Sequence, residues 1–235
     1  MATFSDEQNV PGPIYVYQVP VRIWHWLHAL SITTLIITGY FIANPLPSLS
    51  GEASDHFLMG TLRLVHFSSA FVFAIGLFVR FYLALVGNKY ARELLIVPLW
   101  RADFWRRVWH ELKFYAFLTR KTAKNIGHNP LAQLFMWIIN IALALFMVCT
   151  GFALYSQGTG LGSWADTLFG WVFVVEASSQ TVRMWHLLGM WLMLLFIIIH
   201  IYMVIRASFA SRQNGTTAMI SGWRTFKDDG PLKPQ

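Results

Sequence analysis

One cysteine, Cys149, stands in 235 residues. A lone cysteine excludes a disulfide framework and any four-cysteine iron–sulfur site. Charge is scarce too: Asp, Glu, Lys and Arg together make 12% of the chain, against 56% hydrophobic residues. That balance excludes an ordinary soluble domain and fits a protein that crosses a membrane several times. No arrangement of nucleophile, base and oxyanion donors suggests hydrolysis or group transfer, and no internal repeat is apparent.

What fills the chain is apolar. Four runs are long enough to span a bilayer: Ile23 to Ala43, Leu62 to Val86, Leu131 to Tyr155 and Met184 to Ile205. None contains Asp or Glu, which weighs against a proton-relay transporter, since relays through a membrane usually include buried carboxylates. The expectation is an all-α polytopic membrane protein, a four-transmembrane-helix bundle formed as one integral-membrane domain over residues 1–235.

The formal net charge of +7 could point to nucleic acid, but its distribution gives another reading. Lys89, Arg92, Arg101, Arg106, Arg107, Lys113, Arg120, Lys121 and Lys124 all fall between the second and third runs. Arg206, Arg212, Arg224, Lys227 and Lys233 follow the fourth, and Arg22 precedes the first. The other two connections carry Arg63 and Arg183 beside Glu52, Asp55, Asp166 and Glu176. The positive-inside rule then makes both termini, the loop at about 88–130 and the tail at 207–235 cytoplasmic. Nucleic-acid binding drops out, and the lipid bilayer becomes the partner.

Within the loop, Trp105, Val108, Trp109 and Leu112 share a helical face ringed by Arg106, Arg107 and Lys113. This reads as an amphipathic helix on the inner membrane surface. The segment SWADTLFGWVFVVEA reads as a similar short helix on the outer side.

Histidines are the chemistry-bearing residues inside the runs. His186 and His200 lie fourteen residues apart, close to four full turns, so they share one helix face about 21 Å apart along the axis. An ionisable group inside a span usually faces a protein interior and binds or relays something. Following the chain through the membrane gives two levels: His66 with His186 outside, and His25 with His200 inside. Two facing imidazoles at one level are what a six-coordinate b-type haem needs, the porphyrin giving the other four nitrogens. With no C-x-x-C-H in the chain, such a haem has no thioether bonds. Two haem b groups are expected, each bound between helices.

The fourteen-residue step recurs. Gly39 follows His25 by fourteen, and Arg80 follows His66 by fourteen. A glycine facing a haem leaves room for the macrocycle edge, and an arginine there can neutralise a propionate or a bound anion. Gly189, one turn from His186, also clears space. Asn140, a polar residue in WIINIALALF, could donate to a quinone carbonyl beside Arg80, with interhelical hydrogen bonding as the bland reading. His28, one turn from His25, competes with it as inner ligand, while His56, His110 and His128 read as interfacial residues.

RIWHWLHALSITTLIITG, from Arg22 to Gly39, and RMWHLLGMWLMLLFIIIH, from Arg183 to His200, resemble the two signatures of the nickel–iron hydrogenase b-type cytochrome subunits. The resemblance extends over all four runs. Either motif alone would not separate that family from the cytochrome subunits of formate dehydrogenase, which remain the alternative. The resemblance implies a bacterial cytoplasmic (inner) membrane protein whose haem irons are held by His25, His66, His186 and His200. It also implies an electron conduit, not itself the site of hydrogen chemistry. The conduit would join an outer-face hydrogenase, with its iron–sulfur small subunit and nickel–iron large subunit, to the quinone pool.

Overall fold

The computed structural model describes residues 13–47, 56–93, 97–119, 129–176, 178–210 and 215–225. In chain order the elements are β1 (Ile14–Tyr15), α1 (Val19–Ala43), α2 (Leu58–Val86), α3 (Lys89–Arg92), α4 (Ala102–Tyr115) and α5 (Pro130–Phe135). A π-helical stretch, Met136–Leu143, joins α5 to α6 (Ala144–Thr159). Then come α7 (Trp164–Phe169), α8 (Trp171–Glu176), α9 (Ser179–Ala210), α10 (Gly215–Ser221) and β2 (Trp223–Arg224).

Four helices are long and apolar enough to cross a membrane: Val19–Ala43, Leu58–Val86, Pro130–Thr159 and Ser179–Phe209. They contain the four runs expected from hydropathy and extend beyond them by up to five residues at either end. Hydropathy detects only the part of a helix that lies in hydrocarbon; the backbone keeps its own hydrogen bonds on into the polar interface. Only 12–28% of each apolar window is buried within the protein, so most of the apolar surface is left for lipid.

Local sequence explains the ends. Pro20 occupies the first turn of α1, where its missing N–H has no carbonyl to serve. Asn129 caps the third span, its Oδ1 accepting from the N–H groups of Leu131 (2.8 Å) and Ala132 (3.3 Å), with Pro130 next. Inside α1, Thr33 and Thr34 satisfy their hydroxyls by donating to the carbonyls of Ala29 and Leu30, each at 2.9 Å.

The chain divides into two compact units. One comprises residues 1–24, 80–137 and 197–235. Here β1 pairs antiparallel with β2, Ile14 opposite Arg224 and Tyr15 opposite Trp223, a pairing that hydropathy does not foretell. Gly222, at φ +87°, lets its carbonyl accept from the N–H groups of Val16 and Tyr17. Asn88 adds to this corner by donating from Nδ2 to the Val16 carbonyl at 2.9 Å. Val21, Leu83 and Ala91 pack with Tyr17 and Trp24, and Val97, Phe104 and Val108 pack with Leu131 and Leu134.

In α4 the buried residues are Phe104, Val108, Glu111 and Phe114. Trp105, Trp109 and Leu112 are exposed. The amphipathic helix is therefore present, but Val108 belongs to its protein-facing side. The exposed apolar stripe is Trp105, Trp109 and Leu112, and Glu111 is buried with a hydrogen bond from Asn129 Nδ2 (2.7 Å).

The other unit comprises residues 25–79 and 138–196. Ala153, Val172 and Val182 form its best-buried cluster, with Cys149, Leu154, Phe169 and Phe173 around them. Cys149 is thus a packing residue. The single outer helix expected from SWADTLFGWVFVVEA is two helices, α7 and α8, meeting at Gly170. Ser163 and Asp166 start α7 reciprocally: Ser163 Oγ accepts from the Asp166 N–H, and Asp166 Oδ2 accepts from the Gly162 N–H.

Candidate haem site

The unit formed by residues 25–79 and 138–196 holds a matched pair of imidazoles. His66 comes from α2 and His186 from α9, and each is half-buried. α2 and α9 converge at Gly39, where a Cβ would meet His66 Cε1 at 3.3 Å and Met190 Sδ, one turn from His186, at 3.6 Å. Each Nδ1 lies 2.8 Å from a threonine hydroxyl on another helix: Thr38 of α1 for His66, Thr150 of α6 for His186.

The hydroxyls settle the direction of these bonds. Thr38 Oγ1 is 2.6 Å from the carbonyl oxygen of Thr34, and Thr150 Oγ1 is 2.8 Å from that of Phe146. A carbonyl can only accept, so each hydroxyl has committed its single proton to its own helix. What remains on each oxygen is a lone pair, and the imidazole must donate to it from Nδ1–H. Both rings are thereby in the tautomer that keeps the lone pair on Nε2.

A glycine follows each threonine. A Cβ on Gly39 would stand 3.3 Å from His66 Cε1, and one on Gly151 would stand 3.1 Å from His186 Cε1. Both lie within the range where a neighbour must give way, so the imidazoles press against bare backbone. The same Thr-Gly step, one on α1 and one on α6, cradles each ring.

This donor set fits haem. Among the described residues no group of three or more His, Cys, Asp or Glu side chains could hold a metal ion. His66 and His186, each with an Nε2 lone pair, would hold the iron of a macrocycle that brings four nitrogens of its own.

The remaining expected residues fall as follows. Gly39 faces His66, as described. Gly189 is buried on α9, and a Cβ there would meet Met147 Sδ at 2.3 Å and Phe146 Cε1 at 3.4 Å; in this structure its space is taken by α6 side chains. His25 is half-buried, its ring edge-on to Trp26 at 5.2 Å. His28 is buried and stacks on Phe73 at 4.5 Å and 16°.

His200 and Arg80 belong to the other unit. His200 is half-buried. Arg80 is buried, donates from both terminal nitrogens to the Ala91 carbonyl at 3.3–3.4 Å, and lies 5.4 Å from the Trp24 ring centre. Asn140 falls in the π-helical stretch, and its side chain lies outside the described residues, as does His128.

Sequence reasoning missed Thr38, Thr150 and Gly151. The signal was there: Thr-Gly followed by an aromatic occurs inside two different spans, as TGYF and TGFA.

Residues 16–222 match the family model described as prokaryotic cytochrome b561. The chain is 51% identical over 218 residues to the probable Ni/Fe-hydrogenase B-type cytochrome subunit of Azotobacter chroococcum mcd 1, covering 93% of this chain and 91% of that protein. The protein of the same name from Azotobacter vinelandii is 50% identical with the same coverage. The probable Ni/Fe-hydrogenase 1 B-type cytochrome subunit of Escherichia coli (strain K12) is 45% identical over 219 residues, 91% of each chain. With four membrane-crossing helices, a paired-imidazole site and a family match over nearly its whole length, this chain belongs to the prokaryotic cytochrome b561 family of b-type haem membrane proteins.

Proposed function

We propose that this chain is the dihaem membrane anchor of an outward-facing nickel–iron hydrogenase and carries electrons to the membrane quinone pool. The observation that carries the reading is the His66–His186 pair, with both Nδ1 atoms held on threonine hydroxyls and both Nε2 lone pairs kept for a metal. The names of the relatives supply the hydrogenase as partner.

In this reading His66 and His186 hold the outer haem, and His25 and His200 hold an inner one. Bound haem b supplies one-electron carriage at two depths of the membrane. The chain's own residues do the rest. The helices exclude water from the imidazoles, and Gly39 and Gly151 keep bulk away from the outer ligands, while Gly189 makes room for Met147 and Phe146 of α6. Arg80, steadied by Ala91 and Trp24, offers positive charge on the cytoplasmic side for a propionate or a reduced quinone oxygen. Asn140 offers an amide N–H to the quinone head. The basic residues around 88–130 and after 206 support cytoplasmic termini in a bacterial inner membrane. The iron–sulfur small subunit and nickel–iron large subunit then meet the opposite, outer face.

Haem counting tests this. His66→Ala and His186→Ala are expected to remove the same one of two b-type components, as read by pyridine haemochrome and reduced-minus-oxidised spectra. His25→Ala and His200→Ala should remove the other, with His28→Ala sparing both. Full haem content in both outer-ligand variants would overturn the assignment. Co-purification of hydrogenase subunits with the tagged chain tests the partner, and recovery of a formate dehydrogenase instead would replace it. For the quinone site, Asn140→Leu should lose quinone-linked hydrogen oxidation while dye-linked oxidation and haem content stay at wild-type level.

A further inference from the structure

We infer that Thr38 and Thr150 are the positioning residues of the outer haem, each setting the tautomer, ring plane and donor strength of one axial imidazole. The inference rests on the reading of His66 and His186 as that haem's ligands.

The two sites are built alike from unrelated stretches of chain. On α1 the Thr38 hydroxyl is anchored to the Thr34 carbonyl one turn back, and on α6 the Thr150 hydroxyl is anchored to the Phe146 carbonyl one turn back. Each is buried, and each presents its remaining lone pair to Nδ1 at 2.8 Å. A threonine that only satisfied itself inside a membrane helix would stop at the first bond, as Thr33 and Thr34 do in α1. The second bond, made across to another helix and made twice, has a chemical result. It protonates Nδ1, so the metal-binding lone pair is on Nε2, and it stops rotation of the ring about its Cβ–Cγ bond. The neighbouring Gly39 and Gly151 allow the approach, since a Cβ at either position would crowd the ring carbon next to Nδ1.

An imidazole that donates from Nδ1–H is a stronger electron donor to the metal on its other nitrogen. That favours ferric over ferrous iron, so these two bonds hold the outer haem's potential down. Weakening them should make the haem easier to reduce and change the ring orientations that an electron-spin spectrum of the ferric form records.

The experiment uses the full chain in membranes with its partner subunits. Thr38→Val and Thr150→Val are compared with Thr38→Ser and Thr150→Ser, and His66→Ala and His186→Ala are run in parallel. Potentials are read by spectroelectrochemical titration of the b-type components, ligand geometry by the g-values of the ferric haems. Both valine variants should move the midpoint of the same component to a more positive value and shift its g-values. Both serine variants should stay at or near wild type. If a valine variant instead fails to retain the haem, restored haem content in the serine variant supports the same role. Valine variants with wild-type potential and g-values, or serine variants as altered as valine, would overturn the inference. Full haem content in the histidine variants would instead overturn the ligand reading beneath it.

Discussion

His186 has the tighter of the two cradles. Alanine at Gly151 would bring a Cβ to 3.1 Å from Cε1 of the ring, against 3.3 Å at Gly39, where Met190 Sδ at 3.6 Å is a second neighbour. Overfilling a packed site costs about 1–3 kcal/mol, and the ring can escape only by leaving its hydroxyl. Gly151→Ala is therefore expected to lower the haem-to-protein ratio more than Gly39→Ala, as measured by pyridine haemochrome on purified protein. These glycines differ in how readily the sequence reveals them. Gly39 is marked by its step of fourteen from His25, whereas Gly151 lies in a span that contains no histidine from which such a step could be counted. The threonines were equally hidden. A threonine in a span has an adequate partner in its own helix, so nothing in one segment says that its oxygen also serves a neighbour. A histidine in a span stands out in the sequence because an imidazole in hydrocarbon has no such local solution.

Among the elements, α4 buries a carboxylate. Glu111 lies 1% exposed with Asn129 as donor, and Asn129 in turn starts α5. The end of α4 is fastened by Arg206 of α9. Its guanidinium donates to the Phe114 carbonyl at 2.8 and 3.1 Å and lies over the Phe117 ring, 3.6 Å from its centre. Hydrogen bonds to a charged group contribute about 1.5–3 kcal/mol. Arg206→Leu should accordingly speed amide exchange in the last turn of α4 by one to two orders of magnitude, read by hydrogen–deuterium exchange, with α1 and α2 unchanged.

The same region carries a pH dependence. Burial, then the Glu111 carboxylate, raise Tyr115 above the ordinary tyrosine value of 10.0. A group that holds its proton better when folded gives stability that is complete below about pH 10 and is lost as pH rises past it. Thermal melting of the detergent-solubilised protein should fall between about pH 10 and pH 12, and Tyr115→Phe should flatten that fall.

Across the molecule, the helices that cross the membrane were legible almost in full, since hydropathy and length decide them. The β1–β2 pair and the π-helical stretch were not. Two-residue strands brought together from opposite ends of the chain leave no periodicity, and Met136–Leu143 is as apolar as the α-helix on either side. The side of the membrane that each loop faces is open to direct test because Cys149 can be removed in one step. In a Cys149→Ala background, Arg101→Cys should react with an impermeant maleimide only in inside-out vesicles, and Gly158→Cys only in right-side-out ones. The opposite pattern would invert the topology. The threonine–imidazole contacts also bear on how the protein is made. Thr38 and His66 lie on consecutive spans, and so do Thr150 and His186. Each imidazole therefore receives its threonine partner within a single helical hairpin, and the ribosome completes the first before it has begun the second. On the proposed ligand reading, nascent chain and cofactor need not meet until both hairpins are in the bilayer, where an iron held by both imidazoles would rivet two halves that have already shaped their own sides of the joint.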